Sequence, residues 1–181
     1  MAILEIRTFG DPALRQRAAD VDDVTDLHRR LIADMIDTMR EAPGVGLAAP
    51  QVGVLERIFV WEVEDVFGAV VNPSVVSSSP EEETAEEGCL SLPGLYYPVT
   101  RSARVRVEGR DELGRALSID ADGLLARVFQ HEIDHLDGVL FVDHLPDETK
   151  REALGRLRAQ ALGLPDPGSA DAPRDHVEEA L

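Results

Sequence analysis

One cysteine, Cys89, stands in a chain of 181 residues, so no disulfide can close within it and no multi-cysteine zinc module can form. Basic residues are few: 18 Lys and Arg against 35 Asp and Glu leave a formal net charge of −17. That balance argues against a nucleic-acid-binding face spread over the whole molecule and fits an acidic, solvated surface. No apolar run approaches the roughly 20 residues needed to span a bilayer. The start, Met1-Ala2-Ile3-Leu4-Glu5-Ile6-Arg7, lacks a basic segment followed by an apolar run of signal-peptide length. There is no repeat of fixed period and no long low-complexity run. The expectation is a cytoplasmic protein of one main domain, over residues 1–163, with Cys89 reduced and available as a thiolate. Residues 164–181, rich in Pro, Asp and Ala, read as a flexible tail.

What is present begins with Val24, Leu27, Leu31, Met35 and Met39 at three- and four-residue steps, widened by Ile32 and Ile36. The pattern predicts a long amphipathic helix, with Asp22 or Asp23 as N-cap and Pro43-Gly44 as its stop. The stretch Gly44-Val45-Gly46-Leu47-Ala48-Ala49-Pro50-Gln51 is uncharged and small, and its glycines let backbone come close to a ligand. It lacks the third glycine and the Lys-Ser/Thr of nucleotide loops. By itself it reads equally as a tight helix-to-strand connection. Strands are predicted at 57–63, 69–72, 75–77 and 104–108, with 116–119 as hairpin partner of the last. The acidic run 81–87 reads as a solvated loop. Residues 122–137 are predicted helical and stopped by Gly138, then 139–142 as a short strand or packed segment, then a charged helix from Asp147 to about Leu162. The fold class is α+β, with short, mostly antiparallel strands around a central metal-binding helix.

That helix carries His131-Glu132-Ile133-Asp134-His135. Two imidazoles one turn apart can bind one metal ion, with the Glu beside the first as general base. At about 100° per residue, Leu124 and Val128 share the histidine face as the wall of a pocket, opposite Leu125, Phe129, Ile133 and Leu136. Position 141 is Phe, so the third histidine of metzincins is missing. Glu148 and Glu152 lie downstream in a charged stretch that reads as surface. Cys89, the one thiol, following a glycine in an apolar run, is the sharper third ligand. Three protein ligands leave a fourth position for water, as in catalytic sites.

Three ordered blocks, Gly44 to Gln51, Glu87-Gly88-Cys89-Leu90-Ser91, and Gln130 to His135, together with Gly10-Asp11-Pro12-x-Leu14-Arg15, resemble the peptide deformylases over residues 3 to 145. The resemblance implies removal of the formyl group from N-terminal formylmethionine of nascent chains. It implies Cys89, His131 and His135 as metal ligands, Glu132 as acid/base, and Gln51 with the Leu90 amide on the formyl oxygen. Val45, Gly46 and Gly88 would offer backbone groups to the peptide, and Leu124 with Val128 would wall the methionine slot. Fe2+ is the native ion implied, with Zn2+ or Ni2+ in exchange, and the ribosome is an implied partner. Arg127 and Tyr96 are placed by position beside the substrate's exposed residues. Two other readings are a zinc endopeptidase using Glu148 or Glu152, and an inactive relative that binds a partner through the helix from Asp147.

Overall fold

A computed structural model describes residues 2–165, so the expected tail from 166 onward lies outside the described residues. The fold is α+β. A five-stranded antiparallel sheet has the order β1 (Gly46–Ala48), β2 (Ile58–Val63), β3 (Val66–Ser78), β6 (Arg104–Arg110), β7 (Ala116–Asp122). A separate ribbon pairs β4 (Glu82–Glu87) with β5 (Tyr97–Ser102). Successive side chains on a strand point to opposite faces, and β2 shows what covers each face here. Ile58 and Val60 pack with Ile32, Met35 and Met39 of helix α1 (Asp26–Glu41). Phe59 and Trp61 pack with Val128, Phe129 and Leu136 of helix α2 (Gly123–Leu136). The continuous apolar run in β2 therefore reflects cover on both sides. Helix α2 also touches β5, so it lies between the large sheet and the ribbon. Helix α3 (Asp147–Ala161) packs Ala153 and Leu157 against a third cluster that includes Leu14, Leu92, Phe141 and Cys89.

Several expectations need correction. Helix α1 begins at Asp26 behind Thr25, whose N–H is capped by His28 Nδ1 at 2.9 Å, so Asp22 and Asp23 lie outside it. Leu27, in its first turn, is 72% exposed, whereas Leu31 and Ile32 one turn later pack against the cluster that includes Ile58 and Val60. The strands expected at 69–72 and 75–77 are one strand, β3, irregular at Asn72-Pro73 where the register shifts. Asn72 sits at φ 52°, and its side-chain amide exchanges bonds of 2.8 and 2.9 Å with the Val21 backbone. The acidic run is exposed through Glu86 as expected, yet it is strand β4, because backbone pairing to β5 and not side-chain burial forms it. Strand β5 is not among the strands that the sequence predicts. Residues 139–142 form a packed segment that ends in a 3-10 turn, Phe141–His144.

Candidate active site and metal centre

Helix α2 starts behind Asp122 and ends at Leu136, and Gly138 just beyond it turns the chain at a φ of 75° that glycine adopts readily. Its register brings His131 and His135 to one face, with their Nε2 atoms 3.2 Å apart. Both are buried. The loop after β4 delivers Cys89, also buried, with Sγ 3.3 Å from His135 Nε2. The donor atoms of Cys89, His131 and His135 all lie within 4.8 Å of one another, so one cation can reach all three. Neither Glu148 nor Glu152 joins this group among the described residues. Glu152 is on the surface, where its carboxylate accepts from the Tyr97 hydroxyl at 3.3 Å.

The environment of each donor fits a divalent cation. Burial pushes the Cys89 thiol up to about 12, so a thiolate there needs a strong positive charge beside it. Burial, with the neighbouring charges of His131 and Arg101, holds His135 well below the ordinary imidazole range, which keeps it neutral and able to ligate. His131 Nδ1 lies 3.0 Å from the Glu87 carboxylate, so its other nitrogen, Nε2, is turned to the cluster. Burial works against charge on Glu87, but hydrogen bonds from His131 and Arg101 outweigh it and hold the carboxyl far below its usual range.

Glu132 is the outlier. It is fully buried and neither oxygen has a hydrogen-bond partner among the described residues. Burial, then the charges of Glu87 and Asp134, raises its pKa well above the usual carboxylate range. A buried carboxylate left unpartnered is costly to keep unless it has work to do, and a raised pKa is what a proton-shuttling group needs. Against it lies Gly46, where an added Cβ would stand 2.3 Å from Glu132 Oε1.

Gln51 completes the inner wall. It is buried in the 3-10 turn Ala49–Val52; its Oε1 accepts the Ala48 N–H at 2.7 Å. That bond fixes the amide orientation and aims Nε2 at Ser91 Oγ, 3.3 Å away, and at Cys89 Sγ, 3.7 Å away. Leu90 follows Cys89 directly and lines, with Pro93, Leu95 and Tyr96, a cavity of about 300 Å³ beside the thiol. Gly88 packs under Tyr96, whose ring would be 2.5 Å from an added Cβ.

Other expected residues fall elsewhere. Val128 is wholly buried in the core between α2 and the sheet. Leu124 is 46% exposed and lines, with Val45, Arg40 and Glu62, a second depression of about 520 Å³. Arg127 is buried rather than facing solvent, and its guanidinium bonds Glu87 Oε1, Val99 O and Glu83 O, each at 2.8 Å. The Val45 carbonyl accepts the Glu62 N–H at 2.9 Å. Antiparallel bonding alternates, so within β1 Gly46 and Ala48 face the open sheet edge, and the Ala48 N–H is taken by Gln51. Sequence reasoning assigns no role to Glu87 or Arg101. The only signal is an acidic residue two places before the thiol, hidden inside a run that reads as solvated.

The polypeptide deformylase family model matches residues 3–151. The sequence is 51% identical over 158 residues to a peptide deformylase of Acidothermus cellulolyticus, covering 87% of each chain. The crystal structure of the peptide deformylase from Thermus thermophilus superposes with a TM-score of 0.83 at 46% identity, covering 89% of this chain and 96% of that one. For the enzyme from Legionella pneumophila the TM-score is 0.84 at 42% identity, covering 92% and 100%. With a match over most of the chain in both sequence and fold, the protein belongs to the polypeptide deformylase family.

Proposed function

We propose that residues 1–163 form a deformylase that hydrolyses the formyl amide of N-terminal formylmethionine on newly made polypeptides, releasing formate. The observation that carries the residue assignment is the convergence of Cys89, His131 and His135 beside an unpartnered, buried Glu132. Those three side chains would hold one divalent cation, which would supply Lewis acidity and lower the pKa of a bound water toward neutrality. Fe2+ is the ion proposed as native, with Zn2+ or Ni2+ able to replace it.

Glu132, with its raised pKa, accepts a proton as the water oxygen adds to the formyl carbon, and returns it to the amine nitrogen as the C–N bond breaks. Charge gathers meanwhile on the formyl oxygen. Gln51 Nε2, aimed into the site by its bond from Ala48, and the Leu90 backbone N–H donate to it. The peptide pairs as an added strand with the open edge of β1. The pairing residue is Gly46, because the Val45 carbonyl is already engaged by Glu62. Gly88 faces the peptide from the opposite wall, and the cavity beside Leu90 and Leu95 receives apolar substrate surface. The methionine slot is proposed there, with the wholly buried Val128 and the half-exposed Leu124 as the further wall residues expected from the sequence.

Nascent chains are the proposed partners, met in the cytoplasm at the ribosome; no described helix is long and apolar enough to cross a membrane. The deciding assay is formate release from formyl-Met peptides by protein purified without oxygen, with bound metal measured alongside. Glu132→Ala should abolish release with metal retained, and wild-type release from it would end the assignment. Cys89→Ala should lose the metal. Full metal retention there would remove Cys89 from the ligand set.

A further inference from the structure

The buried guanidinium of Arg101, on β5, touches one carboxylate beside each half of the metal centre. Its Nε and Nη2 donate to the two Glu87 oxygens at 2.9 and 3.0 Å. Its Nη1 donates to Asp134 Oδ2 at 2.6 Å, and that oxygen also lies 2.7 Å from His144 Nε2. Glu87 is two residues before Cys89, and Asp134 directly precedes His135. One side chain therefore links the thiol-bearing loop to the histidine-bearing helix.

Glu87 shows what the link achieves. Its carboxylate meets four donors: Arg101 Nε and Arg127 Nη1 on Oε1, Arg101 Nη2 and His131 Nδ1 on Oε2. A carboxylate has about four lone-pair directions, so this one is saturated and cannot swing. With Glu87 fixed, His131 is confined to the tautomer that carries its proton on Nδ1 and leaves Nε2 free to ligate. We propose that Arg101 is a positioning residue of the metal centre: acting through Glu87 on His131 and through Asp134 on the helix before His135, it holds the three ligands in register. Arg127 supports Glu87 from one side only, and its other bonds run to the Val99 and Glu83 carbonyls, away from Asp134. Arg101 is thus the hub.

The proposal rests on the metal reading above, and the experiment separates the two. Stripped protein is reloaded with Co2+ as the probe, and its visible absorption and its rate of release to a chelator are measured, with kcat and KM on a formyl-Met peptide. The exposed ion-pair variant Arg106→Gln serves as control. Failure of the wild-type chain to bind Co2+ ends the metal reading itself. Given binding, Arg101→Gln should release Co2+ about 10–100-fold faster, the usual effect of removing an outer-shell partner. Its absorption band should shift, and kcat should fall with KM within about twofold of wild type. Arg101→Lys, which keeps the charge but cannot fork to both carboxylates, should fall between. A wild-type spectrum and release rate in Arg101→Gln overturn the proposal, even with a lowered Tm. Should Arg101→Gln not fold, wild-type behaviour of Arg101→Lys overturns it equally.

Discussion

Gly46 meets two demands that a side chain would defeat. Its backbone faces the open edge of β1, and its Cα side lies against Glu132, where a methyl group would stand 2.3 Å from Oε1. Glu132 is itself wholly buried and has little room to retreat. Gly46→Ala should therefore displace the carboxylate from the attacking water, and a misplacement of about 1 Å is enough to cost about 10²-fold in rate. We expect kcat for formate release to fall by about that factor while metal content, measured by atomic absorption, is unchanged. Loss of metal instead of rate would show that the glycine serves the ligands and not the proton shuttle. At Gln51 the expectation differs in kind. Gln51→Ala removes one donor from the developing oxyanion, which typically costs about 10²–10³ in kcat, and should leave KM nearly unaffected. A change confined to KM would place Gln51 in binding alone.

The element that positions the chemistry is α2, and its C-terminal end is held from outside. The Leu136 carbonyl receives the Ala18 N–H at 2.8 Å and Arg57 Nη1 at 3.3 Å, and the same guanidinium nitrogen reaches Asp137 Oδ1 at 2.7 Å. Gly138 then turns the chain away at φ 75°, where an added Cβ would meet the Arg15 backbone at 2.8 Å. Gly138→Ala should lower stability by about 1–3 kcal/mol from backbone strain and crowding, read as a lower midpoint in urea with unchanged slope. A midpoint within error of wild type would mean the turn relaxes freely. This helix was legible in the sequence because its period and its stop residue are local properties. So was the His131, Glu132, His135 geometry, which one helical turn fixes, and Cys89 followed from being the only thiol. Strands β4 and β5 were not legible. Their pairing depends on backbone bonds between Glu82–Glu87 and Tyr97–Ser102, and the side chains of β4 stay in water through Glu86, so no apolar rhythm marks it. The role of Glu87 was hidden for the same reason. Its burial and its partners Arg101, Arg127 and His131, 14, 40 and 44 residues away, distinguish it from the acidic residues before it.

At the scale of the molecule, two helices cover the faces of one sheet, and ionisable groups are concentrated in a dry region between α2 and the β4–β5 ribbon. Such a region is stable only where each charge is answered. Glu87 is answered by two guanidinium groups, whereas Glu132 is not answered by any described residue. The metal-free chain should therefore show a conflict between stability and function at Glu132. The sign follows from the direction of its shift. A carboxyl whose folded pKa is raised above its unfolded value of 4.5 contributes stability below 4.5, and that contribution is lost as pH rises through the folded pKa. Glutamine keeps the volume and never ionises. Glu132→Gln should thus make the metal-stripped protein more stable than wild type at about pH 8, by at least about 1 kcal/mol, or roughly 3 °C in Tm for a domain of this size. As pH falls toward 4.5 the advantage should shrink, because wild-type Glu132 becomes protonated and neutral. His135 titrates in both proteins, so its own loss of stability in acid cancels in the comparison. Thermal melts of the two stripped proteins between about pH 8 and 5 test this. A gap that stays constant, or widens as the solution is acidified, would mean that the buried carboxylate is already answered in the folded chain and is not held in reserve for a proton.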